Sequence, residues 1–134
     1  MLDHLSIQCV DMAASAAFYD AVLAPIGGRR IIDTSDPAGS DTDGYGTIGY
    51  GTGFPCFWIS GLLIGNGFRE SHIAFRAPSR EAVDAFYATA TARGGEGLHA
   101  PRLWPQYHAG YYGAFVRDPD GNNVEAVHHT MEQR

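Results

Sequence analysis

Two stretches of the chain alternate apolar and polar residues at the period of a half-buried strand, then switch to the period of a helix. HLSIQCV, beginning at His4, puts Leu5, Ile7 and Cys9 on one face and His4, Ser6 and Gln8 on the other. HIAFRAP, beginning at His72, sets Ile73, Phe75 and Ala77 against His72, Ala74 and Arg76. The first strand leads into a predicted helix over about 12–23, with Asp11 as N-cap and a stripe of Ala14, Ala17, Phe18, Ala21 and Val22. The second leads into a predicted helix over about 80–93, with Ser79 as N-cap and a stripe of Val83, Phe86, Tyr87 and Ala90. Pro25 follows the first helix, and Gly94-Gly95 ends the second where a left-handed cap is wanted.

A shift of 68 positions superimposes the two stretches: His4 falls on His72, Asp11 on Ser79, and Phe18-Tyr19 on Phe86-Tyr87. Shorter strand patterns follow each helix, at about 29–33, 45–51 and 55–60, then at about 97–100, 111–117 and 122–128. The polar run 33–44 reads as a mobile surface loop, Gly65-Asn66-Gly67 as a hinge, and DPDGN at 118–122 as a tight turn. Each half is therefore β-α-β-β-β. The expected fold is α+β, one domain over 1–134 with module one about 1–64 and module two about 68–130.

Composition narrows the function. A net charge of −6 argues against nucleic acid, which is held by basic patches. No apolar run reaches the ~20 residues that cross a bilayer, and the opening MLDHLSIQCVDM lacks the marks of a signal peptide, so a cytoplasmic location is expected. Cys9 and Cys56 fit no metal or redox spacing and read as reduced thiols buried in strands. All nine basic residues are Arg, which removes lysine chemistry. GYGTIG at 44–49 matches a phosphate-loop pattern by letter only, because no helix follows it.

Parity along the strands points to a site. His4, His72 and Glu125 all face away from the predicted helices, Glu125 alternating with Val124 and Ala126 on the last strand. Two imidazoles and a carboxylate suit a divalent ion such as Zn, Fe, Mn, Ni or Co. Trp58, Trp104, Tyr107, Tyr111 and Phe115 offer flat surface to a small-molecule ligand, and Arg76 offers a cation for an anionic one. His108 is the candidate general acid–base beside Glu125, whereas His128 and His129 read as exposed near the end of the chain.

HLSIQCVDMAASAAFYDAVLAPIGG, HIAFRAPSREAVDAFY and FVRDPDGNNVEAV together resemble the vicinal oxygen chelate superfamily, which includes glyoxalase I, bleomycin resistance proteins and extradiol dioxygenases. The resemblance implies paired βαβββ modules in a cupped mixed sheet with helices on its outer face, commonly within a homodimer. It also implies metal ligands at His4, His72 and Glu125. The fourth ligand position falls on Phe57 or Trp58, where glyoxalase I carries a carboxylate, and Phe115 stands where extradiol dioxygenases carry a Tyr. Fosfomycin-resistance transferases rely on a Lys that this chain lacks. The expected function is a metal-dependent enzyme of lyase, isomerase or dioxygenase type acting on a small oxygenated molecule. The alternative is a metal-free binding protein of the bleomycin-resistance type.

Overall fold

A computed structural model describes residues 2–35, 46–61, 67 and 70–130. Most of the loop expected at 33–44, and Gly65-Asn66 of the expected hinge, lie outside the described residues. The elements run β1 (Leu5–Gln8), α1 (Met12–Leu23), β2 (Arg29–Asp33), β3 (Thr47–Gly51), β4 (Phe57–Ser60), β5 (His72–Arg76), α2 (Arg80–Ala92), β6 (Gly97–Leu103), β7 (Tyr111–Arg117) and β8 (Asn123–His129). They form two mixed sheets of four strands, ordered β1-β4-β3-β2 and β5-β8-β7-β6. This is the α+β arrangement of two βαβββ modules.

Local chemistry sets the helix ends. The Asp11 carboxylate accepts the Ala14 N–H at 2.9 Å, and Ser79 Oγ accepts that of Ala82 at 3.2 Å. Gly94 adopts φ 84°, which lets its N–H reach the Thr91 carbonyl and the Gly95 N–H reach that of Ala90. The helix stripes differ in part from expectation. In α1 the buried residues are Ser15, Ala16, Phe18, Tyr19, Val22 and Leu23, while Ala14 and Ala17 face solvent. Ser15 can take a buried position because its hydroxyl donates to Asp120 at 3.1 Å. Leu5 is also more exposed than its alternation implies, since β1 lies at a sheet edge.

One cluster of buried side chains runs from Ile7 to Ala126 and draws on both sheets. Tyr19 packs on Phe57 at 4.8 Å between centroids, and Phe57 meets Phe75 of the second sheet edge-on at 5.0 Å. The DPDGN segment is a turn, and it does more than reverse the chain. Asp118, 5% exposed, accepts the backbone N–H groups of Asp120 and Asn122, the Asn122 amide, and the Tyr19 hydroxyl at 2.7 Å. Asp120 accepts Val10 N–H at 2.9 Å. The turn after β7 thus fastens β1 and α1 to the second sheet.

Cys9 is buried as expected, one residue past the end of β1, whereas Cys56 is exposed and just precedes β4. Burial pushes the Cys9 thiol up to about 11 and raises Tyr19 and Tyr50 above the usual phenol range. Groups with folded pKa values above their unfolded ones stabilise fully below the unfolded value, and that stability fades as pH rises toward the folded one. With no Lys to titrate, melting temperature should fall between pH about 9 and 11, Cys9 alone accounting for a loss on the order of 2 kcal/mol. A Cys9→Ala variant should show a shallower alkaline decline in calorimetry; an unchanged slope would remove Cys9 as its cause.

Candidate functional site

Strand pairing fixes which side chains share the helix-free face of the second sheet. His72 lies opposite Asn123 and Ala74 opposite Glu125 in the parallel β5–β8 pair, while Phe115 lies opposite Glu125 in β7–β8. Val124 and Ala126, on either side of Glu125, belong to the core. Glu125 is 1% exposed, a costly place for a carboxylate without partners.

Its partners are specific. His72 Nε2 stands 3.1 Å from Glu125 Oε2, and the Tyr111 hydroxyl donates to Oε1 at 2.5 Å. The other imidazole nitrogen, Nδ1, lies 3.2 Å from the Asn123 carbonyl, which can only accept, so Nδ1 carries a proton. A neutral His72 therefore turns the Nε2 lone pair toward a carboxylate oxygen. Two lone pairs cannot bond, so either a proton or a cation lies between them. Burial raises Glu125 above the usual carboxyl range, opposed by Tyr111 and His72. Tyr111 is itself raised, first by burial and then by its hydrogen bond to Glu125.

Tyr111 pairs in register with His129, and its phenol must cross Gly113 to reach Glu125. A Cβ at Gly113 would come within 3.0 Å of Glu125 Oε1 and 3.2 Å of the Tyr111 ring, so a side chain there would push the two apart. Phe115 stacks on His72 at 5.9 Å and meets Trp104 and His99 at 5.1 and 5.5 Å. Trp104 is anchored by its indole N–H to the Gly113 carbonyl at 3.0 Å and is continued by Tyr107 at 5.9 Å. Trp104, Tyr107, Tyr111 and Phe115 form one aromatic wall beside the His72–Glu125 pair.

His99 and His129 belong to this wall, although sequence reasoning gave His99 no role and read His129 as exposed. Both His128 and His129 are half-buried, because β8 continues through them. The signal was available: His129 continues the alternation Glu125, Val127, and Tyr111 pairs with it. His108 lies at the Tyr111 end of the wall with both ring nitrogens engaged. Nδ1 accepts the Gly110 N–H at 3.1 Å, and Nε2 stands 2.9 Å from His129 Nδ1.

His4 and Trp58 stand elsewhere in the chain, in a groove over the first sheet that Ser6, Thr47 and Pro55 complete. The His4 imidazole is 59% exposed and bonds Asp3 at 2.6 Å. Register shows which residue is the counterpart of Glu125: Ser6 pairs with Trp58 as Ala74 pairs with Glu125, so Trp58, not Phe57, occupies that position. Arg76 lines a third place, a cleft between the two sheets. Among the described residues of one chain, no group of three His, Cys, Asp or Glu side chains is close enough to hold an ion. His4 therefore does not meet His72 and Glu125 within the chain.

The pair itself suits a divalent ion. It offers a nitrogen and an oxygen lone pair facing one another, and the imidazole is oriented by a carbonyl at its far nitrogen, as metal-bound histidines are.

Paired βαβββ units with a His–Glu pair on a helix-free face define a vicinal oxygen chelate fold. The sequence pattern of the Glyoxalase/Bleomycin resistance protein/Dioxygenase superfamily matches residues 1–126, and the chain belongs to that superfamily. It is similar to a glyoxalase/bleomycin resistance protein from Albidiferax ferrireducens, with 28% identity, 96% of this chain and 98% of that one covered, and a TM-score of 0.74. Two further structures share the fold. A mutant of the fosfomycin resistance protein FosX from Listeria monocytogenes, solved with Mn(II) and 1S,2S-dihydroxypropylphosphonic acid, is 21% identical over 100% of this chain and 95% of that one, with a TM-score of 0.71. A lactoylglutathione lyase from Agrobacterium tumefaciens is 19% identical over 96% and 92%, with a TM-score of 0.65. No curated protein matches the chain. Among the described residues no helix is long and apolar enough to cross a membrane.

Proposed function

We propose that the protein is a divalent-metal-dependent enzyme that moves a proton on a small oxygenated molecule, with each site completed across a homodimer. The observation that carries this reading is the contact between His72 Nε2 and Glu125 Oε2 at 3.1 Å, which needs a cation or a proton between its lone pairs. The third ligand is His4 of the partner subunit. His4 immediately precedes β1 and His72 opens β5, both edge strands, so two copies can bring the helix-free faces of different sheets together.

A bound ion would polarise substrate oxygens as a Lewis acid. The residues of the chain supply the rest. Asn123 orients His72, and Glu125, its carboxyl raised above the usual range by burial, is placed to take up or release a proton. Tyr111 steadies the carboxylate through Oε1 and occupies the region where Phe115 leaves no hydroxyl. The aromatic wall excludes water from one side. His108, bonded to Gly110 and His129, stands at the Tyr111 end of the wall as a further candidate to carry a proton.

The test is metal analysis with subunit mixing. Wild-type protein should hold about one ion per chain, and His4→Ala and His72→Ala should each hold almost none. Co-refolding the two variants in equal amounts should restore about a quarter of the wild-type content, because half the dimers are mixed and one of their two sites is intact. No recovery on mixing would place the site within one chain. No ion in the wild type would end the metal reading and leave the aromatic wall to serve a binding protein of the bleomycin-resistance kind.

A further inference from the structure

Strand parity sends a second set of polar groups to the face that carries His72 and Glu125. Arg76 borders the cleft between the two sheets, but it alternates with Phe75 and Ala77, so its side chain turns to the helix-free face with His72. It lies opposite Val127, and His129 is the next residue of β8 on that face. Tyr111, in register with His129, meets its ring edge-on at 5.0 Å. Arg76 stands two strand positions, ~7 Å, beyond Ala74, the residue level with Glu125. The floor between the two ends is Ala74 and Val127, small and apolar.

Hydrogen bonds fix what this end offers. The Gly110 N–H donates to His108 Nδ1 at 3.1 Å, so a neutral His108 carries its proton on Nε2. That N–H donates to His129 Nδ1, 2.9 Å away, and leaves the His129 proton on Nε2. Burial first, then His108 and Arg76, lower the His129 pKa and favour the neutral ring. Its Nε2–H has no acceptor among the described residues, and neither has Arg76. Arg30 and Arg117 each hold two carboxylates, and Arg80 and Arg102 lie over aromatic rings. Glu125 takes its partners from Tyr111 and His72, not from Arg76. A guanidinium and an imidazole N–H, neighbours on one face and both donors, select an anion.

We propose that the substrate is a carboxylate, held at this end of the face by Arg76 and His129 while oxygens at its other end meet the ion. The chelating end rests on the metal-dependent reading above; the acidic end rests on Arg76 and His129 alone. His108 is a positioning residue here, since it decides which His129 nitrogen bears the proton.

The experiment compares protocatechuate, whose vicinal hydroxyls and carboxylate sit at opposite ends of one ring, with its neutral amide. Both are titrated calorimetrically into the full chain loaded with Zn or Mn, and again in chelator. The acid should bind about tenfold more tightly than the amide. Arg76→Gln should bring that ratio near one with ion content and amide affinity unchanged. His129→Phe, which keeps a ring against Tyr111, should lower it about threefold. His108→Ala should lower it to a similar degree, an effect on the ratio that lost packing alone does not produce. A preference that persists in protein holding no ion would end the metal reading and keep this one; a ratio of one with the ion bound would do the reverse. No binding of the acid in either condition would also overturn the proposal, as would a full preference in Arg76→Gln. Loss of the dimer in that variant would overturn it too, by making a subunit contact the partner of Arg76.

Discussion

Asp118→Ala should lower the stability of the fold by about 3–5 kcal/mol, a fall in melting temperature of roughly 10–20 °C for a chain of this size. The side chain accepts from Tyr19, from the Asn122 amide and from two backbone N–H groups, and it does so while buried. Removing it strands the Tyr19 hydroxyl, whose residue is 0% exposed, in a core with no other acceptor assigned to it. It also frees the turn that brings Asp120 to Val10 and Ser15. Asp120→Ala breaks only those two contacts, at the rim of the same junction, and should cost about 1–2 kcal/mol. Asp118→Asn keeps the shape and one good acceptor and should recover about half the loss. Urea denaturation of the three variants decides the matter. If Asp118→Ala proves no worse than Asp120→Ala, the Tyr19–Asp118 bond is not what joins the modules.

The repeat made most of this fold legible. Shifting the chain on itself located both helices, their caps and the strands before them, because strand-to-helix changes of period survive without any alignment. What stayed hidden depends on long side chains and on partners distant in the chain. Tyr111 read as a flat apolar surface, yet its hydroxyl travels past Gly113 to Glu125, a contact that no spacing rule contains. The strand expected to stop at residue 100 runs on to Leu103, because β6 is an edge strand and can hold Pro101 without losing a ladder bond. The +68 offset pointed to Phe57 as the counterpart of Glu125, but the strand registers give Trp58, one residue off. Period alone placed His4 and His72 on matching faces; it could not say that they belong to separate grooves of one chain.

Glu125→Gln should give a protein that is more stable than the wild type without metal and less stable with it. The amide suits the metal-free site better than the carboxylate does. Its oxygen can accept from Tyr111, and its N–H can donate to the His72 Nε2 lone pair, while His72 Nδ1 keeps its bond to Asn123. No charge remains to be desolvated at a position that is 1% exposed. In chelator the variant should therefore gain about 1–2 kcal/mol over the wild type. Added divalent ion reverses the order, since an ion at 100 times its Kd stabilises the wild type by about 2.7 kcal/mol, while the variant, having lost an anionic ligand, should bind ~100-fold more weakly. Urea unfolding with and without ion measures both halves of the expectation. A variant less stable than the wild type in chelator would make Glu125 a structural acceptor first. A wild type unmoved by Zn, Mn, Fe, Ni or Co would leave a shared proton as the group between His72 and Glu125, and the stability that this buried carboxylate gives up would then need a reason other than metal binding.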